Sequence, residues 1–114
     1  MNHTIDATNK SLGRLASEIA ALLNGKNSVT FAKNRVADVT IKVVNASKLK
    51  VTGKKMEERT HKSYSGFPSG LKELSLAHVT EKKGYAGLIT HAVRGMLPKN
   101  RLQDVRMKNL SIEE

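Results

Sequence analysis

The apolar positions of the chain fall into two helical stripes with short alternating runs between and before them. Between Ser11 and Gly25, residues Leu12, Leu15, Ala16, Ile19, Leu22 and Leu23 recur at three- and four-residue spacing. That spacing puts them on one face of an amphipathic helix over 11–25. Ser11 or Asn9 stands where a helix cap belongs, and Asn24-Gly25 supplies a stop. Arg14 lies off the stripe, free to reach outward. A second stripe covers 85–97, with Tyr85, Leu88, Ile89, Ala92, Val93 and Met96 on one face, and it too predicts burial.

The intervening runs alternate with a period of two. "HTIDAT" (3–8) is a short β-like run. Val39, Ile41 and Val43 alternate with Thr40 and Lys42, predicting a strand within 38–46. Residues 25–38 read as an irregular, partly extended connection. A turn and a short strand ending at Gly53 are expected over 46–55, and a polar ribbon or exposed strand over 56–64. "SGFPSG" (65–70) reads as a loop, 71–76 as a strand, and 76–84 as a short helix ended by Lys82, Lys83 and Gly84. This order predicts one α/β domain over 1–114, its helices covering a small, largely parallel sheet.

Two details of the second stripe carry further information. Gly87, His91 and Gly95 line up beside it at four-residue spacing. Glycine within a helix costs about 1 kcal/mol against alanine. Two of them on one line predict the close approach of another element, either the sheet or a nucleic-acid backbone. The stripe then stops in "AVRGMLPKNRL" (92–102) at Leu97-Pro98, with Lys99 and Arg101 immediately after. Proline disfavours helix in the residue before it, so the two cations are expected on a short, stiff exit.

Charge narrows the function. There are 20 Lys+Arg against 10 Asp+Glu in 114 residues, a formal net charge of +10, and the pI is about 10.1. A domain this basic has the electrostatic footprint of a polyanion binder. The excess is concentrated: by sequence, residues 48–62 hold six cations and two acids, and 94–108 hold five cations and one acid. Cysteine is absent, which excludes disulfides and cysteine-ligated zinc. No apolar run approaches the roughly 20 residues of a membrane span. "MNHTIDATNK" has neither a signal core nor transit character, so the cytoplasm is the expected compartment, with an organelle as the alternative.

Catalytic patterns are not found. "VTGKK" (51–55) lacks the first glycine and the final Ser or Thr of a phosphate loop. It remains a turn whose Lys54 and Lys55 suit phosphate contact. Glu57 and Glu58 are adjacent, so on a strand they face opposite ways. His3, His61, His78 and His91 show no metal-ligand spacing. Only His61, between Arg59 and Lys62, lies in a cationic setting. No enzyme, cofactor or metal is expected. Aromatics are few and no helix is cationic enough to read a major groove. Cations sit in loops and at strand ends, which suits folded RNA.

Four stretches in order then resemble one family: "IDATNKSLGRLASEIAALLNGK" (5–26), "IKVVNASKLKVTGKK" (41–55), "YSGFPSGLK" (64–72) and "AVRGMLPKNRL" (92–102). The chain resembles the bacterial-type large-subunit ribosomal protein thirteen family over about nine-tenths of its length. The resemblance implies a three-layer α/β/α sandwich around a mostly parallel four-stranded sheet. It implies a structural component of the large subunit that binds large-subunit rRNA, joins early in assembly and touches neighbouring ribosomal proteins, without cofactor or catalysis. RNA-facing loops are expected around 48–70 and 94–108. The leading phosphate contacts are Lys54, Lys55, Arg59, Lys62, Lys99 and Arg101, with Arg14, Lys26, Arg35, Lys48 and Arg94 next. His61 lies among them, and Tyr64 or Phe67 is placed to stack on a base or sugar. The sequence differs from the family at Ser69, commonly glycine, and at Gln103-Asp104, commonly Gly-Arg. The alternatives are a free regulatory RNA- or DNA-binding module and a small enzyme acting on nucleic acid.

Overall fold

A strand, a helix and a second strand in close succession make a βαβ unit, because parallel strands need a crossover. In the computed structural model, which describes residues 2–26, 29, 32, 34–51 and 59–114, β1 (Asn2–Asp6) leads through α1 (Leu12–Asn24) to β2 (Thr40–Val44). The two strands pair in parallel, from Asn2 opposite Thr40 to Asp6 opposite Val44. A short 3-10 turn (Ala46–Lys48) follows. The chain then forms an antiparallel hairpin of β3 (Thr60–Tyr64) and β4 (Leu71–Ser75), the long helix α2 (Leu76–Met96), and the short helix α3 (Leu102–Met107). β5 (Leu110–Ile112) returns to pair in parallel with the free side of β2, giving the order β1-β2-β5.

The pleat sorts the sheet into two faces. Ile5, Ile41 and Val43 are buried, and in register with them Leu110 and Ile112 pack against the same core. Leu15, Ala16, Ile19 and Leu23 of α1 meet them, with Ile89 and Val93 of α2. Each fully buried Leu, Ile or Val among them contributes roughly 1.5–3 kcal/mol on burial. Thr4, Thr40, Lys42 and Ser111 point the other way and are exposed, with Lys42 paired to Glu113 at 3.0 Å. At the end of β1, Asp6 Oδ1 accepts from Thr8 N (2.9 Å), Thr8 Oγ1 (2.7 Å) and Asn45 Nδ2 (3.2 Å). These bonds, those from Thr8 first, lower its pKa to about 2.

The structure departs from the sequence expectations in several places. Among the described residues the parallel sheet has three strands, not four. Of the turn and short strand expected over 46–55, the described residues hold the 3-10 turn and one isolated parallel bridge, Lys50 to Ser11, and the end of the strand at Gly53 lies outside the described residues. The three-layer sandwich is not seen either: α1 packs on α2, α3 touches both, and the opposite face of the sheet is polar and exposed. The two helices expected over 76–84 and 85–97 are both present and meet at a kink at Gly84, whose φ of 70° and ψ of −174° are non-helical. Ser11 occupies the cap position of α1 without a side-chain cap bond, while Gly25 closes that helix at φ 78° as expected. Met96 is 44% exposed, not buried. It lies at the very end of its stripe, beside the buried Leu97.

Candidate nucleic-acid interface

The helix stop at Leu97-Pro98 determines where the nearby cations lie. Leu97 is buried, and its N–H donates to the Val93 carbonyl at 3.1 Å. Pro98 turns the chain out. The Asn100 side chain then accepts from the Leu102 N–H at 3.0 Å, a local side-chain turn that opens α3. Across this joint Arg94 Nη2 meets Asp104 Oδ1 at 2.6 Å, and Gln103 Nε2 donates to the Arg94 carbonyl at 2.7 Å. The result is an open cleft of about 640 Å³ at the junction of α2 and α3, and His91, Arg94, Gly95, Lys99 and Arg101 line it. Three of the expected cations therefore come together, and Arg94 arrives already paired.

A Cβ on Gly95 would meet nothing within 4 Å, so no part of the fold approaches it. At Gly87 a Cβ would fall 2.7 Å from Lys83 Cβ, across the Gly84 break. The glycine line therefore does not mark packing on the sheet. Its upper end is open surface inside the cationic cleft.

The β3–β4 hairpin joins the same cleft. His61 of β3 stacks on His91 of α2, with ring centroids 3.6 Å apart and planes at 20°. The pKa of His61 is lowered, first by burial and then by the positive potential of His91, Arg59 and Lys83. Lys62 stands opposite Glu73 in the ladder and pairs with it at 3.7 Å. Beyond them the tip exposes Tyr64 (66%) and Phe67 (73%), with Leu71 opposite Tyr64. The loop turns through Gly66 and Ser69, both at positive φ (88° and 64°). Ser69 thus takes a conformation that glycine adopts without strain.

A second basic group forms at the start of α1. Lys50 N donates to the Lys10 carbonyl at 2.9 Å and Asn9 N to the Lys48 carbonyl at 3.1 Å. These bonds bring Lys10, Arg14 and Lys50 around a cleft of about 660 Å³. Sequence reading singled out Arg14 and Lys48 but not Lys10 or Lys50, whose proximity depends on a bridge between distant segments. Glu18 pairs with Lys10 at 3.2 Å. Lys26 and Arg35 are exposed and line neither of these two clefts. Lys54 and Lys55 lie outside the described residues. Arg106, counted with the cationic block 94–108, is buried in the structure.

Fold and site define a small, strongly basic α/β protein whose cations gather at helix ends and along an exposed hairpin. The family model described as Ribosomal protein L13 matches residues 1–113. The Large ribosomal subunit protein uL13 of Pelobacter propionicus is 44% identical over 110 residues, covering 96% of this chain and 77% of that protein. That of Lawsonia intracellularis is 47% identical over 108 residues, covering 95% and 74%. That of Natranaerobius thermophilus is 46% identical over 110 residues, covering 96% and 76%. The chain belongs to the ribosomal protein L13 family.

Proposed function

We propose that this chain is a structural constituent of the large ribosomal subunit that binds large-subunit rRNA and supports early subunit assembly. The observation that carries the reading is the convergence of Arg94, Lys99 and Arg101 on one cleft, joined through the His61–His91 stack to the hairpin bearing Arg59 and Lys62. Family membership supports a structural role and not a catalytic one. Phosphates meet the cations from several directions, a geometry suited to folded RNA. Tyr64 and Phe67, exposed at the hairpin tip, supply faces for stacking on a base or for contact with a neighbouring ribosomal protein. The chain works in the cytoplasm as part of the ribosome, and the segments around 48–70 and 94–108 are its RNA-facing parts. Among the described residues no helix is long and apolar enough to cross a membrane.

Sedimentation of the native protein tests the reading. It should migrate with large subunits through a high-salt wash. A dominant free pool that binds other RNA or DNA would replace the proposal with a regulatory module.

A further inference from the structure

Arg106 is one of the chain's 20 basic residues, yet only 2% of its surface meets solvent. Its Nη2 makes a long 3.5 Å bond to the Arg35 carbonyl, and its Nε and Nη1 have no hydrogen-bond partner. A guanidinium cannot shed its proton inside a protein. Buried without partners, it is a costly group. Its planar fork of N–H donors matches the oxygens of a phosphate or carboxylate.

Arg106 lies almost wholly enclosed at the inner wall of a cleft. With Asn24, Lys26, Leu97 and Asn100 it lines a cleft of about 460 Å³ between the C-terminal ends of α1 and α2. Each helix end carries about half a negative charge. Together the two ends offset about one of the two cations, Arg106 and Lys26, and one positive charge is left over. No carboxylate is among the described residues that line the cleft. The Asn100 Oδ1 is already engaged by Leu102 N, which leaves its amide N–H groups to donate. The surplus positive charge and the donors of Arg106, Lys26 and Asn100, set among the apolar Met96, Leu97 and Pro98, suit an oxyanion.

We propose that this cleft binds one phosphate group, with Arg106 as its floor and Lys26 at its mouth. The group is either a phosphodiester of bound RNA or free phosphate, and the first source alone rests on the rRNA reading above. The cleft is separate from the one lined by Arg94, Lys99 and Arg101, so an RNA strand reaching both would straddle the Leu97–Asn100 turn.

The test uses the whole chain, with inorganic phosphate as probe against chloride at matched ionic strength. Phosphate should raise the melting temperature of the unaltered protein. Arg106→Met should melt at or above it without phosphate, because an unpaired buried charge has gone, and should lose the phosphate-dependent rise. Lys26→Ala, a surface change, should weaken the phosphate response and leave the fold intact. A salt titration with large-subunit rRNA forms the second arm. There Arg106→Met should bind roughly tenfold or more weakly, with the salt slope reduced by about one.

A phosphate response retained in Arg106→Met overturns the site. If that variant does not fold, an unchanged response in Lys26→Ala overturns it instead. Acetate stabilising as well as phosphate would make the occupant a protein carboxylate and overturn the phosphate assignment. Loss of the phosphate response with unchanged rRNA binding would overturn the phosphodiester source and leave free phosphate. If the unaltered protein fails to bind rRNA while the phosphate arm holds, the ribosomal reading fails and the site stands.

Discussion

Asp104 Oδ1 lies 2.6 Å from Arg94 Nη2, so the one acid in the cationic block 94–108 is tied to the helix that precedes it. With the Gln103 bond to the Arg94 carbonyl, it fixes the first turn of α3 against the last turn of α2. The anion in this cationic block is thus a positioning device: it orients one cation and leaves Lys99 and Arg101 unpaired by any acid among the described residues. Both partners are largely exposed, so solvent screens the pair. A double-mutant cycle of Arg94→Ala and Asp104→Ala should give a coupling of about 0.2–1 kcal/mol, vanishing at about 1 M salt. A larger, salt-independent coupling would mean that the joint is part of the core.

Lys99 and Arg101 are exposed. Changing both to alanine should move urea unfolding by no more than about 0.5 kcal/mol. The slope of log affinity for large-subunit rRNA against log salt should fall by about two, one for each lost phosphate contact. Filter binding between 50 and 200 mM salt, as a rough working range, reads this directly. A steep loss of stability would instead assign the turn to folding.

The His61–His91 stack makes hairpin docking sensitive to acid. Burial, His91, Arg59 and Lys83 lower the His61 pKa below the ordinary histidine value of about 6.5. A lowered histidine pKa favours the neutral ring in the folded state. Its stabilising contribution is therefore complete above the unfolded value of about 6.5 and declines as pH falls from there towards the folded value. Proton NMR should place the His61 titration below 6.5, and amides of β3 and β4 should exchange faster at pH 5.5 than at pH 7.5, pH values chosen to bracket roughly that window. His91→Gln should raise the His61 midpoint. A midpoint unmoved by that change would show that burial, Arg59 and Lys83 act without His91.

Gly84 breaks α2 at φ 70°, ψ −174°, a region almost closed to other residues. A Cβ there would also collide with the Glu114 carboxylate, which accepts from Tyr85 N at 2.7 Å. Gly84→Ala should cost about 1–3 kcal/mol by urea unfolding. Glu114→Ala in the same background should recover part of the loss by removing the collision. If Gly84→Ala is neutral, the break is not required by the fold.

Local regularities were legible in the sequence, and distant contacts were not. The α1 stripe, the Gly25 stop and the alternation around Ile41 state their structure directly, because core contacts repeat at the period of the element. Gly84 read as a boundary between two helices, and its non-helical backbone is where the two meet at a kink. β5 escaped notice because three residues are too few to show alternation. Its place beside β2 comes from pairing across about seventy residues. The fourth strand and third layer came from resemblance, and the described residues show neither. At the site, Lys99 and Arg101 were visible as cations held behind a proline. Asp104 had no reason in sequence, since its partner lies ten residues back on another helix. Arg106 was counted as surface charge because nothing local distinguishes a buried arginine from an exposed one.

Leu97 ends α2 inside the core and Lys99 stands in solvent two residues later. The entropy of fixing that turn is therefore spent when the domain folds, and little of it remains to be lost on contact with an anion. Kinetically, such a protein meets its target with no ordering step at this turn. Capture there is governed by diffusion and by the long-range pull of a net charge of +10. Ionic strength would then set how fast the chain finds its place before it sets how tightly it stays.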